Sequence, residues 1–208
     1  MPDPVVFIVD DDDDIRISLS RALRTRGYST EAFASAQDFL EGYDNELPGC
    51  LILDYGLPGM SGLELQQVLV KRGRALPIIF ITGHGGVPEA VEAMKYGAVD
   101  FLEKPFRQDV LIERIEKALQ LDARARCYEG KSRDVRARFE RLTEREREIA
   151  ELLVSSPSNS SSKDVGRHLG ISPRTVDHHR ARILEKMRIH SVAELVDLAL
   201  SANLFSKS

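Results

Sequence analysis

Tryptophan is missing from this chain, and cysteine nearly so: Cys50 and Cys127 are the only two in 208 residues. They form no CxxC pair and no disulfide framework, which argues against a disulfide-stapled scaffold and fits a reducing, cytoplasmic setting. Long hydrophobic runs are also lacking. The longest wholly aliphatic or aromatic stretch, Val5-Val6-Phe7-Ile8-Val9, has five residues, against the ~20 that a membrane-spanning helix needs. No charged-apolar-small leader opens the sequence, so no membrane partner is expected. What remains is 42% hydrophobic and 30% charged, ordinary for a soluble globular protein. The length suits one large domain or two modest ones.

Charge divides the chain. The net charge of −4 conceals 12 Lys/Arg against 20 Asp/Glu in residues 1–121, a net of −8, and 17 against 13 in residues 122–208, a net of +4. An acidic half joined to a basic half suggests separate jobs, with nucleic acid a candidate partner for the second.

In the first half, short apolar runs alternate with helical stripes. Ile15, Leu19, Ala22 and Leu23 form one stripe; Val110, Leu111, Ile115, Ala118 and Leu119 form another. Gly27, Gly42, Gly73 and Gly97 stand where helices should stop. Five β units alternating with five helices predict an α/β fold with a doubly wound, five-stranded parallel sheet. Unbroken apolar strands imply burial on both faces.

Each apolar run ends on polar chemistry. Asp10 and Asp11 follow Val9, Asp54 follows Leu53, Thr82 follows Ile81, and Lys104 stands between Leu102-Glu103 and Pro105. Ligands gather at the carboxyl ends of strands in open parallel sheets, so three carboxylates, a hydroxyl and an ammonium group are expected in one crevice. Like charges about 4 Å apart repel by several kcal/mol at intermediate dielectric. A hard divalent cation, Mg²⁺ or Mn²⁺, relieves that repulsion and favours carboxylates, water and phosphate oxygens. Asp54 is then the candidate nucleophile, forming an acyl phosphate. Thr82 offers a donor and Lys104 a cation for the incoming oxygens, while Gly83 leaves room for them.

These residues resemble a known family. Val9-Asp10-Asp11-Asp12, Leu53-Asp54 with Leu57-Pro58-Gly59-Met60-Ser61-Gly62, Ile81-Thr82-Gly83-His84-Gly85 and Glu103-Lys104-Pro105-Phe106 are similar to the receiver domain of two-component response regulators, FixJ branch. The resemblance covers about residues 4–120. It implies that Asp54 takes a phosphoryl group from a phosphohistidine on a sensor histidine kinase, and that Asp10, Asp11, Asp54 and the backbone carbonyl of Gly56 hold the metal. It also implies a cis peptide bond before Pro105 and a switch in which Thr82 moves toward the phosphate and Phe101 turns inward behind it.

Two rivals use overlapping residues. A calcium loop over Asp10, Asp12 and Asp14 would need Gly at its sixth position and Glu at its twelfth, where Ile15 and Arg21 stand. A haloacid-dehalogenase-type phosphatase also places Asp-x-Asp after its first strand, but it needs a late acidic pair where Thr82-Gly83-His84-Gly85-Gly86 stands. A regulator rather than an enzyme is therefore expected.

Residues 122–138 are arginine-rich and poor in apolar side chains, a basic linker that is either a continued helix or a mobile segment. Beyond it, Thr143 with Glu146 starts a helix, and Ser155 to Ser162 reads as a loop. Val165 and Leu169 mark a short helix closed by Gly170. Ser172-Pro173 opens another, and Ser191 a last one. On the Ser172-Pro173 helix, Val176, Ile183 and Met187 fall on one side, with Arg174, Asp177, His178, Ala181, Arg182 and Glu185 on the other. That is helix-turn-helix architecture, whose second helix enters the major groove.

Leu142-Thr143-Glu144-Arg145-Glu146, Leu169-Gly170-Ile171-Ser172-Pro173-Arg174-Thr175-Val176 and His179-Arg180-Ala181-Arg182-Ile183 resemble the LuxR-type DNA-binding domain of the FixJ/NarL family over about residues 139–203. The resemblance points to Lys163, Arg174, Thr175, Asp177, His178, Arg182 and Lys186 as DNA contacts. The serine-rich loop is about three residues longer than the family's usual turn and lacks its Gly and Asn. The expected architecture is a receiver (1–121), a basic linker (122–138) and a small all-α DNA-binding domain (139–208). The expected behaviour is phosphorylation, dimerisation, promoter binding and transcriptional activation through RNA polymerase. A helical tail that binds protein instead of DNA is the alternative.

Overall fold

The computed structural model describes residues 2–73, 76–83, 87–155 and 161–205. The chain divides into two compact units, Met1–Ala125 and Arg126–Ser208.

Short β-branched runs and amphipathic stripes alternate in the first unit, and the elements follow them. They are β1 (Val5–Val9), α1 (Asp13–Thr25), β2 (Ser29–Phe33), α2 (Ala36–Gly42), β3 (Gly49–Asp54), α3 (Gly62–Lys71), β4 (Ile78–Thr82), α4 (Val87–Lys95), β5 (Asp100–Glu103) and α5 (Gln108–Glu140). The strands lie in the order β2-β1-β3-β4-β5, all parallel, as expected. Every residue of β1, β3 and β4 is buried, whereas β2 and β5 are partly exposed edges.

Side chains alternate between the two faces of the sheet. Phe7, Val9, Leu51 and Leu53 pack with Phe39, Leu65, Leu69 and Ala93 of α2, α3 and α4. Val6, Ile8, Cys50 and Ile52 pack with Leu19 and Leu23 of α1 and with Leu111, Ile115 and Ala118 of α5. Each fully buried Leu, Ile or Phe contributes about 1.5–3 kcal/mol. The central strands are thus the best-anchored backbone in the unit, and the polar residues at their carboxyl ends are fixed with them.

Gly27, Gly73 and Gly97 do follow α1, α3 and α4 with φ of 87°, 75° and 87°. Gly42 departs from the expectation of a C-terminal cap. It is the last residue of α2, and the cap is Tyr43. Its small size serves packing instead, since a Cβ there would lie 2.9 Å from the Phe33 ring.

The stretch expected as a linker is helical throughout. α5 runs for 33 residues and includes Gly130. Within the first unit, Asp122 is buried and accepts a hydrogen bond from the Gly49 amide at 2.9 Å. Within the second, Val135 joins the core. Of the few apolar residues in this stretch, Val135 is buried, while Ala123, Ala125, Cys127, Tyr128 and Ala137 are exposed.

The second unit adds α6 (Glu144–Ser155), α7 (Ser162–Leu169), α8 (Pro173–Met187) and α9 (Val192–Ser201). Ile149, Leu153, Val165, Val176, Ile183, Met187 and Leu195 form its core. Thr143 and Glu146 make the reciprocal hydrogen bonds of a capping box. Ser161, Ser172 and Ser191 cap the following three helices. The turn between α7 and α8 needs Gly166, because a Cβ there would stand 2.8 Å from the Ile171 carbonyl oxygen.

Candidate functional site

β1 and β3 are sequence-distant neighbours at the centre of the sheet, and both end in aspartate. Asp10 follows β1 and is fully buried; Asp54 closes β3 and is 7% exposed. Lys104, which follows the edge strand β5, reaches both carboxylates. Its Nζ donates to Asp10 Oδ2 at 2.7 Å and to Asp54 Oδ1 at 2.8 Å. The Lys104 amide donates to the Thr82 carbonyl at 2.7 Å, which ties the lysine loop to the end of β4. The Lys104–Pro105 peptide bond is cis, as expected.

Both carboxylates are further constrained by backbone amides. Asp10 Oδ1 accepts from the Asp12 amide at 2.9 Å, and Asp54 Oδ2 accepts from the Gly56 amide at 2.7 Å. α3 begins hard against this backbone: a Cβ on Gly62 would lie 2.3 Å from the Asp54 carbonyl oxygen. A Cβ on Gly83 would meet nothing within 4 Å, consistent with open space beside Thr82, itself only 2% exposed.

Electrostatics follow from this packing. Burial pushes the Asp10 carboxyl above its usual range, and the hydrogen bonds from Lys104 and the Asp12 amide only partly offset that. Burial alone would pull the Lys104 ammonium down, but hydrogen bonds and charge from Asp10 and Asp54 outweigh it, and the net direction is upward.

The expectation of three converged carboxylates needs correction. Asp10 and Asp54 are brought together, while Asp11 is exposed and makes no hydrogen bond or ion pair among the described residues. Among those residues no three His, Cys, Asp or Glu side chains form a ready-made metal cluster. The donor set still suits a hard cation. It is all oxygen, two of its carboxylates already share one cationic group, and Mg²⁺ needs only one or two carboxylates plus water and a phosphate oxygen. Asp12 is the N-cap of α1, its side chain accepting from the amides of Asp14 and Ile15.

Phe101 is half-buried, with its ring 5.9 Å from Tyr55 and 6.3 Å from Phe80. Tyr55, directly after Asp54, drew no notice in the sequence. Its position beside the phosphoacceptor candidate was the available signal. His84 lies outside the described residues.

In the second unit, Lys163, Arg174, Thr175, Asp177, His178 and Arg182 are all exposed. Asp177 accepts a hydrogen bond from Ser162 at the start of α7, so it also orients α8. Lys186 departs from the expectation. Its ammonium donates to Glu146 Oε2 at 2.6 Å and to the Arg141 carbonyl at 3.4 Å. Glu146 is 1% exposed, so this lysine is committed to a partner inside its own unit, an arrangement that periodicity alone does not reveal. Most of the serine-rich loop, 156–160, lies outside the described residues.

Comparison with known proteins agrees with this geometry. Residues 6–116 match the response regulator receiver domain, and residues 140–199 match the luxR family of bacterial regulatory proteins. The transcriptional regulatory protein FixJ of Rhizobium meliloti is 43% identical over 201 residues, 97% of both chains. The response regulator protein TodT of Pseudomonas putida is 40% identical over 192 residues, 92% of this chain and 83% of that one. Among solved structures, the response regulator StyR is 41% identical, with a TM-score of 0.83 over 96% of this chain and 99% of that one. Full-length FixJ from B. japonicum is 39% identical, with a TM-score of 0.57 over 99% and 100%. A central parallel sheet presenting Asp54, joined in sequence to a helix-turn-helix unit, thus has a clear family: the chain belongs to the FixJ-like response regulators, two-component transcription regulators that pair a receiver domain with a LuxR-type DNA-binding domain.

Proposed function

We propose that Asp54 is the phosphoacceptor and that its phosphorylation controls promoter binding by α8. The observation that carries the reading is the bridge from Lys104 Nζ to Asp10 and Asp54, 2.7 and 2.8 Å long, at the carboxyl ends of the central strands. One Asp54 oxygen attacks the phosphorus of a phosphohistidine on a sensor histidine kinase. The P–N bond breaks, its electron pair returns to the imidazole, which takes up a proton, and an acyl phosphate remains. Mg²⁺ or Mn²⁺ held by Asp10, Asp11, Asp54 and the Gly56 carbonyl would neutralise the phosphoryl oxygens. Lys104 turns its ammonium to the new oxygens, and Thr82 brings its hydroxyl to them. Phe101 closes inward behind Thr82.

These movements reshape the face made by α4 and β5. α4 already presents Val87 (78% exposed), Val91 and Met94 to solvent, with Tyr96 just beyond it, an apolar patch suited to a second copy of the chain. Two copies then place their α8 helices in half-sites about one helical turn apart. Arg174, Thr175, His178 and Arg182 read or grip the DNA, Lys163 contacts phosphate from α7, and Asp177 and Lys186 hold α8 in position. Bound at a promoter, the dimer activates transcription through RNA polymerase. Footprinting on genomic DNA with and without acetyl phosphate tests this. Protection of paired half-sites that strengthens with the phosphodonor is expected; protection indifferent to it contradicts the reading.

A further inference from the structure

Arg16, which bonds the backbone of Asp10, plays no part in the scheme above. It stands in the first turn of α1, where its amide donates to the Asp12 carbonyl at 3.0 Å. Its side chain is only 15% exposed. Nη1 donates to the backbone carbonyl of Asp10 at 2.7 Å, and Nη2 pairs with the Asp13 carboxylate, itself 77% exposed. The ladder of β1 ends at Val9, so the Asp10 carbonyl lies past the last strand residue, and a buried carbonyl without a partner is costly. Arg16 supplies that partner.

With it, every polar atom of Asp10 has a partner: the amide on Phe33, one carboxylate oxygen on Asp12, the other on Lys104, and the carbonyl on Arg16. The same peptide unit carries Asp11, whose carboxylate has no partner among the described residues. The direction in which Asp11 points is therefore set by its backbone, and Arg16 holds that backbone from the Asp10 side.

We propose that Arg16 is a positioning residue for divalent-metal binding, clamping the Asp10–Asp11 peptide so that both carboxylates face the same cation. The inference rests on the reading of this pocket as a metal site. Simple electrostatics makes the opposite forecast, because deleting a positive charge beside an acidic pocket should tighten metal binding. Asp13, which neutralises the guanidinium, weakens that effect. Partners that orient metal ligands in this way typically change affinity 10–100-fold when lost.

The test is Mg²⁺ titration by calorimetry on the full chain, comparing the parent with Arg16→Met and Arg16→Lys. Met keeps the length of the side chain without a donor; Lys keeps charge and one donor but cannot fork to two oxygens. Mg²⁺ binding about tenfold weaker in Arg16→Met, and two- to threefold weaker in Arg16→Lys, is expected. Unchanged or tighter binding in Arg16→Met overturns the proposal. Should that variant not fold, parental affinity in Arg16→Lys overturns it equally. A parent that binds no Mg²⁺ would instead remove the metal reading itself.

Discussion

Replacing Lys104 by methionine separates the lysine's structural role from its chemical one. Its Nζ lies 2.7 Å from Asp10 and 2.8 Å from Asp54, whose side chains are 1% and 9% exposed. Deleting one partner of a buried ionic group costs about 3–5 kcal/mol, because the remaining charges are left uncompensated. The Lys104 side chain is itself 19% exposed, so water reaches the gap, and the low end, about 3 kcal/mol, applies. In a unit of this size each kcal/mol moves the melting point by about 4 °C. Lys104→Met should therefore melt roughly 10 °C below the parent in EDTA. Added Mg²⁺ should restore most of the loss, since the metal takes over the two carboxylates. It should also bind the variant more tightly than the parent, because no ammonium competes for the same oxygens. Scanning calorimetry in EDTA and in Mg²⁺ provides the measurement. Coincident melting of variant and parent in EDTA would refute the claim that the pocket is strained by its own charge.

Gly56 has no side chain to position a hydrolytic water, and a Cβ there would touch only Asp54 Oδ2, at 3.4 Å. Gly56→Asn should therefore fold normally and lose its phosphoryl group faster than the parent; equal decay of the two phosphoproteins would contradict this. Arg174→Glu with Arg182→Glu should abolish salt-dependent DNA binding, measured by fluorescence anisotropy over a range of salt concentrations. A parent that binds no DNA at all would favour a tail that docks on protein. In the second unit, burial would raise the Glu146 carboxyl, but hydrogen bonds from Lys186 and Thr143 outweigh it and hold it below its usual range. Its contribution is thus complete above a pH of about 4.5, the unfolded value, and is lost as pH falls through the lower folded value. Glu146→Gln should flatten that acid limb in urea titrations. Lys186→Met, which strands the buried carboxylate, should cost about 1–2 kcal/mol more than Glu146→Gln; the reverse order would refute the assignment.

The sheet was legible in the sequence because its strands are fully buried, and full burial writes itself as unbroken runs such as Cys50-Leu51-Ile52-Leu53. A parallel sheet followed from alternation with helices, and the site from the carboxyl ends of its strands, since Asp54 and Thr82 close β3 and β4 and Asp10 directly follows β1. What escaped notice depends on contacts between distant residues. The Lys186–Glu146 pair spans 40 positions, and a helical wheel shows only that Lys186 is polar. The helicity of 122–138 was ambiguous because its anchors, Asp122 and Val135, are few. Gly42 looked like a cap because glycine so often is one, whereas here it packs against the Phe33 ring, which a Cβ would crowd.

Peptide mapping by mass spectrometry, after incubation of the full chain with acetyl phosphate and Mg²⁺, bears most directly on the role of Asp54. A single phosphoryl group on Asp54, absent from Asp54→Asn and suppressed by EDTA, is the predicted result. A phosphoryl group on Asp10 instead, or none on any aspartate, would contradict it.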